Sequence, residues 1–471
     1  MPLTEVRIAP ASTERFRELL GGGYEGVEDA IRTAARVLPG RVVWHINSTA
    51  RGGGVAEMLQ SLLAYARGAG VDVRWAAVSG NPDFFRITKR LHNQLHGSAG
   101  DGGELGEAER EIYERALVPA AEELGRLVSP DDVVYIHDPQ PAPLLEMLRD
   151  RGVASVWRCH VGVDHPNELA RDAWDFLRPY VELADAYVFS RVEFVWEELD
   201  RDRVWIVPPS IDAFSAKNQE LSPEVQHAII SRIGIADDGG EAPVFHRNDG
   251  TVARVNRVAE TDQDERIPWD APLIAQISRW DRLKDPVGLL DCFAEHVHHP
   301  EARLLLAGPS VAGVADDPEG AEVLAEVRIR RAELPEGIRR RTHLVSLPMN
   351  DVEENAAMVN ALQRRADVVV QKSIQEGFGL TVAEAMWKAR PVVAGRVGGI
   401  QDQIVDGAGI LVDDPADLVA VGEAIDGLLG DPERAAEMGR RAKERVRQDY
   451  LGTRHLIQYM GLLEKLLAER G

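Results

Sequence analysis

Two glutamates, Glu376 and Glu384, bracket a glycine-bearing turn, Glu376-Gly377-Phe378-Gly379, that leads into LTVAEAMWK (380–388). Their spacing puts one carboxylate at the mouth of a helix and the other more than one turn along its flank. A carboxylate accepts hydrogen bonds from two vicinal hydroxyls, the way ribose and hexose diols are held. Taken singly, either glutamate is most simply a solvated helix charge. As a pair around a glycine-rich mouth, they point to a polyhydroxylated ligand. Arg279 and Lys284, in SRWDRLKD (278–285), follow an apolar run directly. A strand-end loop with two cations suits a diphosphate, arginine by bidentate contact and lysine as a point charge. Arg282 between them is indistinguishable by charge, and a surface loop paired with Asp281 and Asp285 is the competing reading. Two further turns, Gly52-Gly53-Gly54 and Gly398-Gly399, lack Cβ atoms and could bring backbone close to phosphate or sugar. The first breaks both nucleotide fingerprints. Glu57 stands where the dinucleotide pattern needs its third glycine, and no Gly-Lys-Ser/Thr ending follows. It reads equally as a tight turn.

Such residues need strand ends to hold them. β-Branched apolar runs at 41–47, 71–78, 132–138, 154–160, 185–190 and 203–209 alternate with helical periodicity. The alternation resumes at 272–278, 302–308, 342–347, 367–373, 391–395 and 409–414. Nearly continuous apolar strands separated by helices make parallel sheets covered on both faces. The stripe Val55, Met58, Leu59, Leu62, Leu63 and Ala66 marks one of the covering helices. The pattern predicts an α/β chain of two Rossmann-like, doubly wound parallel-sheet domains, 1–212 and 213–452. Residues 453–471 are expected to form a terminal helix that packs back on the first domain. HGSAGDGGELG (96–106) predicts a mobile loop. Residues 242–265 predict a peripheral insert with a hairpin around Asn248-Asp249-Gly250.

Composition narrows the partners. There are 54 Lys+Arg against 77 Asp+Glu, a formal charge of −23, which argues against a nucleic-acid interface. Apolar residues make up 44% and charged residues 28%, the proportions of an ordinary globular chain. Cys159 and Cys292 can form no disulfide framework and have no metal-site spacing. The start MPLTEVRIAP lacks a basic flank with an apolar core, and no apolar run approaches the roughly 18 residues of a membrane span. A cytoplasmic protein without a membrane partner is expected. Asp200-Arg201-Asp202 and Asp262-Gln263-Asp264 have the form of a metal–sugar-nucleotide motif. They sit at a helix-to-strand junction and in the insert, where solvated charge is the simpler reading. No visible motif requires a metal or other cofactor.

GGGVAE (52–57), HDPQ (137–140), WRCH (157–160), SRWDRLKDP (278–286), QKSIQEGFGLTVAEAMWK (371–388) and VGGIQDQIVDG (397–407) occur in this order. Together they resemble the retaining glycosyltransferases of family 4, and within them the trehalose glycosyltransferring synthases. Gln401-Asp402-Gln403 replaces the commoner Pro-Glu of the family, and the acidic stretch 242–265 is a departure. The resemblance implies the GT-B fold, two domains facing a central cleft, the first serving the acceptor and the second the donor. It implies that Arg279 and Lys284 meet the donor diphosphate. Glu376 and the amides of Gly377, Phe378, Gly379 and Leu380 would cradle the donor sugar, and Glu384 would hold the ribose diol. His160 would contact the donor sugar, Asp138 the acceptor, and the Gly53-Gly54 turn a phosphate. The catalytic set is then Arg279, Lys284, Glu376, His160 and Asp138. The implied partners are a nucleoside diphosphate-glucose donor and a small sugar acceptor, with a homodimer left open. The implied reaction moves glucose to the anomeric hydroxyl of glucose, giving α,α-trehalose. The alternatives are a retaining trehalose phosphorylase, the same scaffold with another sugar or polyol acceptor, and a catalytically silent sugar-nucleotide sensor.

Overall fold

The computed structural model describes residues 2–50, 53–311 and 318–470. Packing divides the chain into two units, Met1–Ser210 with Tyr450–Gly471, and Ile211–Asp449. In the first unit the strands are β1 (Leu3–Val6), β2 (Val43–Asn47), β3 (Val73–Val78), β4 (Val133–His137), β5 (Ala154–Arg158), β6 (Ala186–Phe189) and β7 (Val204–Ile206). They form one sheet in the order β1-β3-β2-β4-β5-β6-β7, parallel except for β1, which runs antiparallel to β3. Central strands such as VWHIN and VVYIH are buried along their whole length, so both faces must be covered. Side chains alternate accordingly: Trp44 and Ile46 enter one core, and Val43 enters the other. The second of these cores takes Leu59, Leu62 and Leu63 from helix Gly54–Gly68 and Leu462, Leu463 and Leu466 from helix Gly452–Arg470.

The second unit holds β8 (Val244–His246), β9 (Val252–Arg254), β10 (Glu260–Asp262), β11 (Leu273–Ile277), β12 (Arg303–Pro309), β13 (Thr342–Leu347), β14 (Val368–Gln371), β15 (Val392–Gly395) and β16 (Ile410–Val412). Its main sheet runs β10-β13-β12-β11-β14-β15-β16, again parallel but for the antiparallel edge strand β10. All twelve apolar runs anticipated above form strands of these two sheets. The strands they miss are β1 and β10, whose sequences LTEV and ETD are half-exposed at sheet edges and carry no continuous apolar signal.

Two expectations change. The glycine-rich stretch 96–106 is tethered: the buried Arg90 guanidinium donates to Asp101 at 2.6 and 2.9 Å and also to the Glu104 carbonyl. Asn167 Nδ2 donates to the Gly97 carbonyl at 2.8 Å. Composition alone could not reveal this, because the anchors lie on neighbouring helices. The stretch 242–265 does contain the hairpin, β8 paired antiparallel with β9, but it is integral to the unit rather than peripheral. Arg247 bonds to Asp351 at 2.5 and 3.1 Å and to Glu353 at 2.9 Å. Glu354, 2% exposed, accepts the amides of Asn256 and Arg257 at 2.7 and 2.8 Å and pairs with the Arg257 guanidinium. Asp262 pairs with Arg328, and Asp264 with Arg331 and Arg339, so the acidic triplet is a structural ion-pair cluster.

Deleting 242–265 would leave Glu354 buried without its partners, a loss of about 3–5 kcal/mol. At roughly 2–4 °C per kcal/mol for a unit of this size, Tm should fall by about 10 °C in calorimetry. An unchanged Tm would return the segment to a peripheral role.

Candidate active site

In a doubly wound sheet, ligands bind outside the carboxyl ends of the strands where the strand order reverses. In the second unit that point lies between β11 and β14. The loop after β11 carries Arg279 and Lys284; the loop after β14 carries Glu376. The two loops are joined by Ile374 N donating to the Leu283 carbonyl at 2.8 Å. There the Lys284 ammonium pairs with Glu376 Oε2, both side chains largely buried. Ser373 Oγ also donates to Oε2 at 3.4 Å. An ammonium has three donors, so Lys284 can hold Glu376 and still offer hydrogen bonds to a phosphate. Glu376 Oε1 makes no hydrogen bond among the described residues. Beneath this pair, the fully buried Lys372 is paired with Asp285. Asp285 sits in the left-handed region (φ 48°) and caps helix Pro286–His296 by accepting the Gly288 amide at 3.0 Å.

The turn that follows is shaped by its glycines. Gly379 has φ 85° and precedes helix Leu380–Trp387. The amides of Gly377, Gly379 and Leu380 enter no backbone hydrogen bond among the described residues, so three donors gather at a positive helix end. The Gly398-Gly399 turn braces this loop. Gly399 N donates to the Gly377 carbonyl at 3.0 Å, and a Cβ on Gly398 (φ 49°) would overlap the Glu376 carbonyl. Gln403, fully buried, donates to the carbonyls of Phe378 at 2.5 Å and Gly379 at 3.3 Å. Here lies the reason for a glutamine at this position.

Glu384 does not join Glu376. It is 4% exposed, with Lys217 Nζ at 3.5 Å from Oε1 and Gln363 Nε2 at 3.5 Å from Oε2, so it is no solvated helix charge. One turn on, Lys388 donates to Asn218 Oδ1 at 2.9 Å and to the Glu384 carbonyl at 3.1 Å, and burial pushes its ammonium well down. The three cations of the β11 loop separate by partner. Arg282 is committed to Glu322 and Glu326 of helix Pro318–Glu333, whereas Arg279 is half-exposed beside Asp281 at 3.2 Å.

In the first unit the order reverses between β2 and β4. Asn47, ending β2, accepts from Trp75 Nε1 at 2.9 Å and donates to the Thr49 carbonyl at 2.7 Å, which starts the loop toward Gly53. Gly53 (φ 80°) precedes helix Gly54–Gly68; Gly52 lies outside the described residues. Asp138 follows β4 with φ 63°, a strained value for a non-glycine residue. Its Oδ1 accepts the His160 amide at 2.8 Å, which brings these two residues together. Burial pushes the Asp138 carboxyl up to about 7, against the lowering by that amide and by Arg158.

Sequence reasoning missed Lys217, Asp285, Lys372 and Gln403 as parts of these networks. Lys372 and Gln403 lay inside recognised motifs, but nothing in them marked burial. Lys217 lay in a stretch read as a boundary.

Because Asp138 keeps its proton to about pH 7 when folded and loses it near pH 4 when unfolded, it subtracts stability as pH rises across that interval. Asp138→Asn keeps an acceptor for the His160 amide and should flatten this part of the stability–pH curve in urea unfolding; an unaltered slope would mean that the carboxyl is ionised throughout. Gly398→Ala combines a left-handed penalty with overlap and should cost about 2–5 kcal/mol, read from the same unfolding curves. A cost below about 0.5 kcal/mol, the ordinary range for surface changes, would show that the brace is slack.

Known proteins share both halves. Residues 45–196 match the family described as trehalose synthase, N-terminal domain, and residues 258–445 match glycosyl transferases group 1. The chain is 37% identical to a trehalose synthase of Thermococcus litoralis over 452 residues, 96% of each chain. It is 39% identical to a trehalose synthase of Rubrobacter xylanophilus over 435 residues, 91% of this chain and 92% of that one. Among solved structures, the α,α-trehalose-phosphate synthase (UDP-forming) of Burkholderia xenovorans, in complex with glucose-6-phosphate, superposes with a TM-score of 0.66 at 15% identity. That match covers 91% of this chain and 100% of the other, and it shares the GT-B fold. The chain belongs to the trehalose synthase family of the group 1 glycosyltransferases.

Proposed function

We propose that the chain is a retaining glucosyltransferase that joins glucose from a nucleoside diphosphate-glucose to the anomeric hydroxyl of free glucose, releasing α,α-trehalose and the nucleoside diphosphate. The observation that carries this reading is the meeting of Lys284, Glu376 and three amides without a backbone partner among the described residues, at the strand-order reversal of the second unit. Breaking the glycosyl–phosphate bond leaves negative charge on the diphosphate. Lys284, Arg279 and the helix end at Leu380 are arranged to meet such charge as it develops, and donors of this kind stabilise the transition state more than the ground state. The unbonded Oε1 of Glu376 is suited to accept a hydroxyl of the transferred sugar. Glu384, held by Lys217 and Gln363, is suited to a ribose diol. No side chain declares itself as a nucleophile. The reading is therefore same-face attack: the acceptor oxygen bonds to the anomeric carbon as the phosphate oxygen leaves, and that oxygen takes the acceptor proton. The names of the relatives carry trehalose, and the structural neighbour's name carries UDP release and its bound glucose-6-phosphate; all are precedents for these substrates.

Incubation with ADP-, UDP- and GDP-glucose against glucose, glucose 6-phosphate and glycerate, with products identified by mass, is expected to yield trehalose from glucose. Transfer to another acceptor alone would overturn the acceptor, and no transfer would overturn the activity. Arg279→Ala should lower kcat by about 10²–10³-fold; an effect confined to the KM of the acceptor would remove it from the diphosphate. Glu384→Ala should weaken donor binding by roughly 10–100-fold. Unchanged donor affinity together with phosphate-driven cleavage of trehalose would favour a phosphorylase.

A further inference from the structure

Three imidazoles of the first unit touch in series. His45 lies within β2, His137 ends β4, and His160 follows β5. His45 is paired in register with Tyr135 and stacks on its ring at 4.7 Å, which puts it on the face covered by Tyr459 of helix Gly452–Arg470. His137, two residues beyond Tyr135, shares that face. His45 Nδ1 is 2.9 Å from His137 Nε2, and His137 Nδ1 is 3.1 Å from His160 Nε2. The His137 and His160 rings are inclined by 12° with centroids 5.4 Å apart. His160 Nδ1 makes no hydrogen bond among the described residues.

Charge on these rings is opposed twice over. Burial pushes His45 down to about 3 and moves His137 and His160 well down, and for the latter two Arg158 adds a nearby positive charge. The Arg158 guanidinium is itself buried, with Nε and Nη1 unpartnered among the described residues, so no bonded carboxylate offsets it. A neutral imidazole has one N–H and one lone pair. His137 spends both nitrogens inside the chain, so if one of its hydrogen bonds is donated the other must be accepted. The polarity of the first bond therefore dictates that of the second, and with it the tautomer of His160.

We propose that His45 and His137 are positioning residues that lock the ring orientation and tautomer of His160, leaving Nδ1 as the one nitrogen it offers to a sugar hydroxyl. The inference rests on the reading of His160 as a donor-sugar contact. Nitrogen-15 labelling of the histidines reads each tautomer directly. His160 is expected as a single tautomer in the unaltered protein and as a mixture in His137→Phe. In that variant kcat for transfer should fall about 10- to 100-fold, the usual effect of removing a group that orients a functional histidine, while nucleoside diphosphate affinity holds. His137→Gln keeps a donor and an acceptor and should recover part of the rate, which guards against a loss caused by misfolding. An unaltered His160 tautomer in both variants, or equal loss of rate in both, would overturn the proposal. If His160→Ala transfers glucose at the unaltered rate, the sugar-contact reading fails instead, and the tautomer spectra still decide whether the chain exists.

Discussion

The pairing of Lys284 with Glu376 ties together two loops that leave the second sheet on either side of its reversal point. Either charge alone in this largely buried position would be costly, and a pair is worth keeping only where its remaining donors and acceptors find partners. The surroundings meet that condition partly and no more. Ser373 supports Oε2, while among the described residues Oε1 and the nearby amides of Gly377, Gly379 and Leu380 stay unspent. The layers beneath are closed: Lys372 to Asp285, Asp285 to the Gly288 amide, Gln403 to two carbonyls of the turn. A rigid base under an incompletely bonded rim is what preorganised recognition of an anionic ligand requires.

Much of this architecture was legible from pattern. Parallel strands buried on both faces must be almost wholly apolar, so VWHIN, VVYIH or LIAQI stand out without any tertiary knowledge. The antiparallel edge strands β1 and β10 did not, because LTEV and ETD carry no continuous apolar run. Glycine turns at strand ends marked the loops that gather at the reversal point of the second sheet, since the positions that tolerate positive φ are few. What those turns do was less legible. Gly398-Gly399 reads like a ligand loop, yet its amide and its missing Cβ serve the neighbouring turn.

Charge partners were the least legible layer. Arg279, Arg282 and Lys284 look alike in sequence, and their separation depends on Glu322 and Glu326 one helix away and on Glu376 across the sheet. Glu384 likewise finds its cation in Lys217, which comes from a distant part of the same unit. Local composition misled for the same reason at 96–106 and 242–265, where single buried ions, Arg90 and Glu354, hold segments that look loose.

The antiparallel strands that open each sheet have a bearing on solubility. A parallel sheet ends in a row of unpaired amides and carbonyls, a template for joining another chain. Here one such border in each unit is taken by a strand of three or four residues, β1 or β10, with Glu5 exposed on the first and Glu260 on the second paired with Arg328 at 2.7 Å. A border this short offers few amides and carbonyls to another copy, and on β10 the Arg328 ion pair ties the strand to its own unit, so edge-to-edge stacking has little to gain at either border.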